Sequence, residues 1–263
     1  MAPTMSIFLE SDHITPYTLA AYEIVGDHQV KISLDKSVHE YNIPGFLLTD
    51  VSIYFQVVLF GDFEEGKTET LKLPDTDEDV LHLFLYWLQY RELVWDELAG
   101  DPDGHKFESG VSLLLRAYAF ADRYLIGELF YSIFKVLLSA VKDSQDKITA
   151  SLISEAFHHG GYNTSPSILL TRCVVASSLN DPAAAAQMLE DCGAIRGFLP
   201  AFVIQISDAR ARASINDRCW WKSLGWGKMQ SYERSLKVHA ELVTGRAKKQ
   251  TAEAPQSVFE QRG

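Results

Sequence analysis

The sequence predicts an α+β fold, in which a small sheet packs on a cluster of helices and an all-helical C-terminal extension follows. Two observations favour this fold. Short segments that alternate polar and apolar residues, as half-buried strands do, occur only before residue 75. After residue 78 the apolar residues recur at helical spacing, and the sequence contains no repeat of fixed period. The composition, with 47% hydrophobic and 22% charged residues among 263, is that of a globular protein.

Three short segments carry the strand pattern. Gln29–Leu34 alternates in polarity, and residues 40–43 form a short partner that a turn connects to it. Residues 69–73 alternate again, and Pro74 ends that strand because proline cannot donate a backbone hydrogen bond. Between the second and third strands, Pro44 suits the first turn of a helix, which predicts a short helical piece over 45–48.

Two helices are predicted with their starting residues. Ser52 is a suitable cap for a helix over Ile53–Phe60, although VVLF at 57–60 fits a strand equally well. Thr76 with Asp79 gives a start resembling a capping box for the amphipathic helix Glu78–Tyr90. Its predicted buried face consists of Val80, Leu81, Phe84, Leu85, Trp87 and Leu88, while His82, Tyr86 and Gln89 are expected to lie elsewhere.

The rest of the chain is predicted to be helical after one long connection. Residues 92–110 are acidic and contain a proline and three glycines, which is typical of a connecting segment. Asp181-Pro182 predicts the start of a helix that Gly193 ends. The other predicted helices cover 112–124, 126–141, 147–158, 166–179 and 199–213, and a further one covers 230–244.

Charge and cysteine content bear on the compartment and on the partners. The net charge of −11 disfavours nucleic-acid binding, and the only basic cluster, at 246–249, is interpreted as a solvated tail. Cys173, Cys192 and Cys219 form no C-x-x-C motif and no disulfide framework. We see neither a signal peptide nor an apolar run of about 18 residues. The sequence therefore predicts a soluble intracellular protein, cytoplasmic or nuclear, that does not bind membranes.

The stretch "GDFEEGKT" at 61–68 fits the phosphate-loop pattern G-x-x-x-x-G-K-[ST]. Such a loop leaves a strand and enters a long helix. Here the residues after Thr68 alternate in polarity and Pro74 follows, so no long helix is expected to begin at Lys67. Asp62, Glu64 and Glu65 would also repel a polyphosphate. We therefore expect a loop that leads into an extended chain after Gly66, and the nucleotide-binding enzyme remains the minor alternative.

No other chemistry is predicted. His158 and His159 are adjacent, so on a helix their side chains point about 100° apart and do not form the i, i+4 pair of a zinc site. No serine or cysteine lies in a nucleophile motif. The sequence therefore predicts no catalytic residue, no metal and no cofactor.

Several short motifs occur in a recognisable order. They comprise Leu48, Ser52, Tyr54 and Phe55; Gly61, Phe63 and Glu64 or Glu65; Leu73-Pro74-Asp75; Trp87-Leu88; and Ala121, Asp122, Tyr124 and Leu129. Together they resemble the BTB/POZ domain in the form seen in many fungal proteins. The resemblance covers residues 27–143. The sequence departs from the family in two places. Pro44 occupies a position at which many family members have a histidine, and the 92–110 connection is longer than is usual in the family.

The resemblance implies a protein-interaction module and no enzymatic activity. Many BTB domains form homodimers, and a subset present a hydrophobic-x-Glu turn to a cullin scaffold as substrate adaptors of a ubiquitin ligase. The matching turn here is Phe63, Glu64 and Glu65. Two alternatives stay open: Phe63 folds back onto the core, or the protein is a self-assembling or transcription-associated scaffold without a link to a ligase.

The predicted organisation follows from the resemblance and the helical pattern. A helical extension succeeds the BTB-like region, and Trp220, Trp221 and Trp226 are expected either to pack on it or to anchor a partner. The predicted segments are an N-terminal segment 1–26, a BTB/POZ domain 27–143, a helical extension 144–215, a tryptophan-rich segment with a helix 216–244 and a disordered tail 245–263.

Overall fold

The computed structural model describes residues 29–35, 37–95, 105–142, 144–161 and 164–213. The predicted segments 1–26, 216–244 and 245–263, with their tryptophans and basic residues, lie outside the described residues. Within the described part the fold is mixed α+β, mostly helical with a small three-stranded sheet, which confirms the predicted class.

The sheet has the strand order β2-β1-β3, where β1 is Gln29–Leu34, β2 is Glu40–Pro44 and β3 is Thr70–Leu73. Strands β1 and β2 pair antiparallel, while β1 and β3 pair parallel. Alternate residues of β1 are buried, as the pattern predicted. The third strand begins one residue later than expected because Glu69 has a left-handed backbone (φ 51°) that ends the preceding helix.

Three helices separate β2 from β3: α1 Gly45–Val51, α2 Ile53–Phe60 and α3 Glu64–Thr68. Helix α1 is longer than the predicted piece, and Pro44 precedes it as the cap residue. Ser52 caps α2 as predicted, because its Oγ accepts a hydrogen bond from Phe55 N at 3.2 Å. Residues 57–60 therefore belong to a helix and not to the alternative strand.

Helix α4, Glu78–Tyr90, has the predicted bounds. The predicted cap is wrong, because Asp77 Oδ1 accepts the bond from Val80 N at 3.0 Å while the buried Thr76 hydroxyl contacts Pro74 O. The prediction that His82 lies away from the buried face is also wrong, since that side chain is buried. Helix α4 meets other elements on several sides, so even a polar position on it loses contact with water.

Helix α5 spans His105–Arg123 and α6 spans Gly127–Lys142. The predicted connection 92–110 is therefore wrong in its second part, since α5 begins well before Ser112. Phe107 and Val111 are buried and extend the apolar face of α5 by one turn, which outweighs the glycine at position 110.

A 3-10 turn Gln145–Lys147 follows, and then helices α7 Ala150–Gly160, α8 Ser165–Asn180, α9 Pro182–Cys192 and α10 Phe198–Ala213. Helix α7 begins at Ala150 and not at the predicted residue 147. Asp181 Oδ1 accepts a bond from Ala183 N, so the predicted start of α9 is confirmed. Helix α7 packs on α5, and α8 packs on α6, α7, α9 and α10. One continuous hydrophobic core runs from β1 to α10.

Candidate functional site

The segment 61–68 is a compact connection between α2 and β3. Gly61 N donates to Val57 O at 2.8 Å and ends α2, and Lys67 N donates to Phe63 O at 3.3 Å within α3. The expected loop thus contains a helix of five residues, and the prediction that the chain is extended directly after Gly66 is wrong. The prediction that no long helix begins at Lys67 is confirmed, because the strand β3 starts at Thr70.

Both glycines of the motif lie where a side chain would collide with the backbone. A Cβ atom on Gly61 would be 2.5 Å from Val57 O and 2.8 Å from the ring of Phe63. A Cβ atom on Gly66 would be 2.6 Å from Leu59 O. The close packing of α3 on the end of α2 therefore accounts for both glycines without a ligand.

The surroundings of the motif differ from those of a phosphate loop. A helix, α2, precedes it where a strand is needed, and strand β3 follows it where a long helix is needed. The Thr68 hydroxyl donates to Glu64 O at 2.9 Å. Asp62 and Glu64 are exposed and would face a polyanion with like charge. This arrangement does not resemble a phosphate cradle.

The three predicted docking residues occupy the beginning of α3. Phe63 is the cap residue and is 51% exposed, with its ring against Gly61. Glu64 is exposed and Glu65 is half-buried, and both lie in the first turn. The structure therefore brings an exposed aromatic ring and two carboxylates together on one short turn that the glycines hold against α2.

Sequence reasoning missed two further apolar side chains beside this turn. Val57 and Phe60 on α2 are 51% and 62% exposed. The sequence of α2 is apolar on nearly every side, and a helix of that composition is usually covered on all sides. This composition could have predicted exposed apolar residues on a helix that lies at the surface. Since one side of α2 carries Phe55 and Val58 into the core, the other side must present apolar residues outward. Val57, Phe60 and Phe63 form what we call the α2–α3 surface.

Residues from two separate motif blocks of the BTB resemblance meet in the core. The Ser52 Oγ atom donates to Tyr124 O at 2.5 Å across 72 positions of sequence. The ring of Tyr124 stacks on Phe55 at 5.6 Å and meets Tyr54 edge-on at 5.2 Å. Burial raises the pKa of Tyr124, so its phenol stays neutral. This cluster fixes α2, and with it the adjoining segment 61–68, against the end of α5.

The other reactive side chains lie in structural settings. Burial raises the pKa of Cys173 to about 12 and that of Cys192 to about 11, which keeps both thiols protonated and unreactive. His158 and His159 place their rings perpendicular at 4.9 Å. No cluster of three or more His, Cys, Asp or Glu side chains in the described ranges could hold a metal ion. Cys219 lies outside those ranges.

Among the helices that the structure describes, none combines the length and apolar character needed to span a bilayer.

Comparison of the chain with models of known protein families gave no match, and no curated protein matches it. The BTB/POZ resemblance therefore stays a prediction that rests on the order and spacing of its motifs.

Proposed function

We propose that this protein is a non-enzymatic protein-interaction module of the BTB/POZ type. The support is twofold. The motif residues Ser52, Phe55 and Tyr124, which come from distant blocks of the sequence, contact one another in the core. A small sheet joined to a helical cluster also agrees with the architecture that the resemblance implies.

We propose further that Phe63, Glu64 and Glu65 dock onto a helix of a cullin scaffold, so that the protein acts as a substrate adaptor of a ubiquitin ligase. The observation that carries this proposal is the half-exposed ring of Phe63 on a turn with little freedom to move. A phenylalanine that buries the remaining ~100 Å² of its surface in a partner's pocket contributes about 2.5 kcal/mol. The neighbouring carboxylates would accept charge-assisted hydrogen bonds from basic side chains of the partner.

The test is binding of the full-length chain to a cullin N-terminal domain, measured for Phe63→Ala and Glu65→Lys. We expect Phe63→Ala to weaken binding by roughly 30-fold or more, as at other aromatic anchors, with an unchanged melting temperature. Phe46→Ala and Glu92→Lys are the matched controls, since both positions are exposed and lie outside the turn.

Unchanged binding of both turn variants would remove the cullin proposal. If no cullin binds and light scattering shows a dimer, the protein is the self-assembling scaffold that the sequence left open as an alternative. Affinity capture of the wild-type chain beside Phe63→Ala, read by mass spectrometry, would then identify the partners that depend on the α2–α3 surface.

A further inference from the structure

One side of helix α10 is both apolar and exposed. Leu199, Val203 and Ile204 are 45%, 57% and 56% exposed, and their spacing places them within about 140° of one another around the helix. The opposite side is apolar as well, since Phe198 and Phe202 are buried. A helix that is apolar all round is normally covered on all sides. We call Leu199, Val203 and Ile204 the α10 surface.

The buried side of α10 holds the helix in place. The ring of Phe198 meets Phe157 of α7 edge-on at 6.0 Å, and Gln205 Oε1 accepts a hydrogen bond from Arg172 Nε of α8 at 2.7 Å. Helix α9 also contacts α10. Because these contacts prevent the helix from turning about its axis, the α10 surface can be buried only by a segment that packs on it from outside.

The charge around the α10 surface favours a basic segment as its cover. The described stretch 181–208, which forms α9 and most of α10, has four acidic residues and one basic residue, a net charge of −3. A second copy of this surface would therefore meet it with like charge. Residues 1–28 and 96–104 each contain four acidic residues and no Lys or Arg, so they are unsuitable for the same reason.

The residues directly after α10 have the complementary character. Residues 214–229 contain three basic residues and one acidic residue, a net charge of +2, and they include three of the five tryptophans of the chain. Arg218 and Lys222 lie on either side of the pair Trp220 and Trp221. Burial of a large indole ring and attraction between opposite charges therefore favour the same contact.

The segment 214–229 is also long enough to reach the α10 surface. Ala213, the last residue of α10, lies nine residues after Ile204, or about 14 Å along the helix axis. Trp220 follows Ala213 by seven residues, which span at most about 25 Å when extended. Residues 214–217 include serine, asparagine and aspartate, which favour the reversal of direction that is needed. A tether this short gives an effective concentration on the order of millimolar.

We propose that the segment 214–229 folds back on helix α10 of the same chain, so that Trp220 or Trp221 covers the α10 surface. The contact removes this apolar surface from water and from other proteins, and release of the segment makes it available. The proposal does not depend on the docking function, since the α10 surface and the α2–α3 surface share no residue.

The test is fluorine NMR of the full chain labelled with 5-fluorotryptophan, with each signal assigned by a single Trp→Phe substitution. A soluble gadolinium chelate broadens the signals of rings that face solvent. Trp87, which is 1% exposed, is the reference for a buried ring, and free 5-fluorotryptophan is the reference for an exposed one. We expect the signal of Trp220 or Trp221 to be protected almost as well as that of Trp87. Val203→Asp should remove this protection, because it places a carboxylate under the indole ring.

Val38→Asp is the matched control, since it makes the same change at a valine that is 93% exposed between β1 and β2. It should leave the protection of the Trp220 and Trp221 signals unchanged. Wild-type signals of both rings that broaden like the free amino acid, or protection that survives Val203→Asp, would overturn the proposal. Protection that is lost on dilution would place the segment on a second copy and would equally overturn the contact within one chain.

The Trp87 signal also reports whether Val203→Asp is folded. If that signal loses its protection too, the double variant Trp220→Ala with Trp221→Ala decides instead, because it changes no residue of the described core. The chelate should then broaden the δ1 methyl signal of Ile204 more strongly than in the wild type. Equal broadening in the two proteins would refute the fold-back.

Discussion

The close approach of Gly66 to the end of α2 gives the sharpest test of the local fold. In Gly66→Ala the new Cβ atom would lie 2.6 Å from Leu59 O and 3.0 Å from Val58 O. Both neighbours are backbone atoms, so neither can rotate away as a side chain would. To lengthen the shorter contact from 2.6 to 3.0 Å, α3 must move by about 0.4 Å at least.

The expected loss of stability is a difference between two effects. Overpacking of this kind costs about 1–3 kcal/mol, while alanine in place of glycine within a helix gains about 0.5–1 kcal/mol. The middle of each range, about 2 and about 0.75 kcal/mol, leaves a net loss of about 1 kcal/mol in the free energy of unfolding of Gly66→Ala. For a chain of this size the melting temperature should fall by roughly 2–4 °C.

The assay is thermal and urea unfolding of Gly66→Ala beside Lys67→Ala, the adjacent exposed position of the same short helix, which should stay within about 0.5 kcal/mol of the wild type. A melting temperature of Gly66→Ala equal to or above that of the wild type would refute the packing argument. A functional phosphate loop would give another result, because millimolar ATP with Mg²⁺ would then raise the melting temperature and Lys67→Ala would abolish the rise.

Two further predictions concern stability. Ser52→Ala removes a helix cap and leaves the buried Tyr124 O without this donor, so it should cost about 2–4 kcal/mol in urea unfolding. Thr49→Ala at a half-buried position, where the hydroxyl donates only a solvent-accessible bond to Phe46 O, should cost less than about 1 kcal/mol. The second concerns pH: burial lowers the pKa of both His82 and His159 in the folded state, so the unfolded chain binds protons more tightly. Their contribution to stability is complete above the unfolded pKa of about 6.5 and is lost as the pH falls from there towards the folded values. The slope for His82 is at most about 1.4 kcal/mol per pH unit, and the more exposed His159 contributes less because solvent screens it. Urea midpoints between pH 7.5 and 5.5 should therefore fall less in His82→Gln than in the wild type, and an equal fall would contradict the assigned burial cost.

The parts of the fold that could be predicted are those where local pattern and burial agree. Helix α4 has the expected bounds because its apolar residues recur at helical spacing over 13 residues. Strand β1 was equally clear, since its alternation matches the one-sided burial of the sheet. The start of α5 was missed because a glycine and acidic residues pointed to a connection, whereas burial of Phe107 and Val111 decided the outcome. Tertiary packing overrode local propensity there.

The buried state of His82 could not be read from its own segment. A histidine beside exposed positions of an amphipathic helix is normally solvated, and the phenol that contacts it belongs to Tyr41, which is remote in sequence. For Phe63 the sequence left both exposure and packing on the core open, because a short turn between two elements lies at the surface while an aromatic ring can still fold inward. That Val57 and Phe60 are its exposed neighbours could not be predicted, since periodicity does not tell which side of a uniformly apolar helix faces the core.

The residues 61–68 fit both the phosphate-loop pattern and the docking turn that we propose, and the two differ in the function of the glycines. In a phosphate loop glycine lets the backbone approach a ligand, so the loop depends on the ligand for part of its contacts. Here Gly61 and Gly66 let the backbone of the turn approach the backbone of α2. The turn is therefore packed without any contact from a ligand. A turn that is already ordered loses little conformational entropy when a partner covers Phe63, so more of the burial energy remains for affinity. Gly66→Ala should therefore weaken partner binding as well as stability, although residue 66 contributes no side chain to the contact.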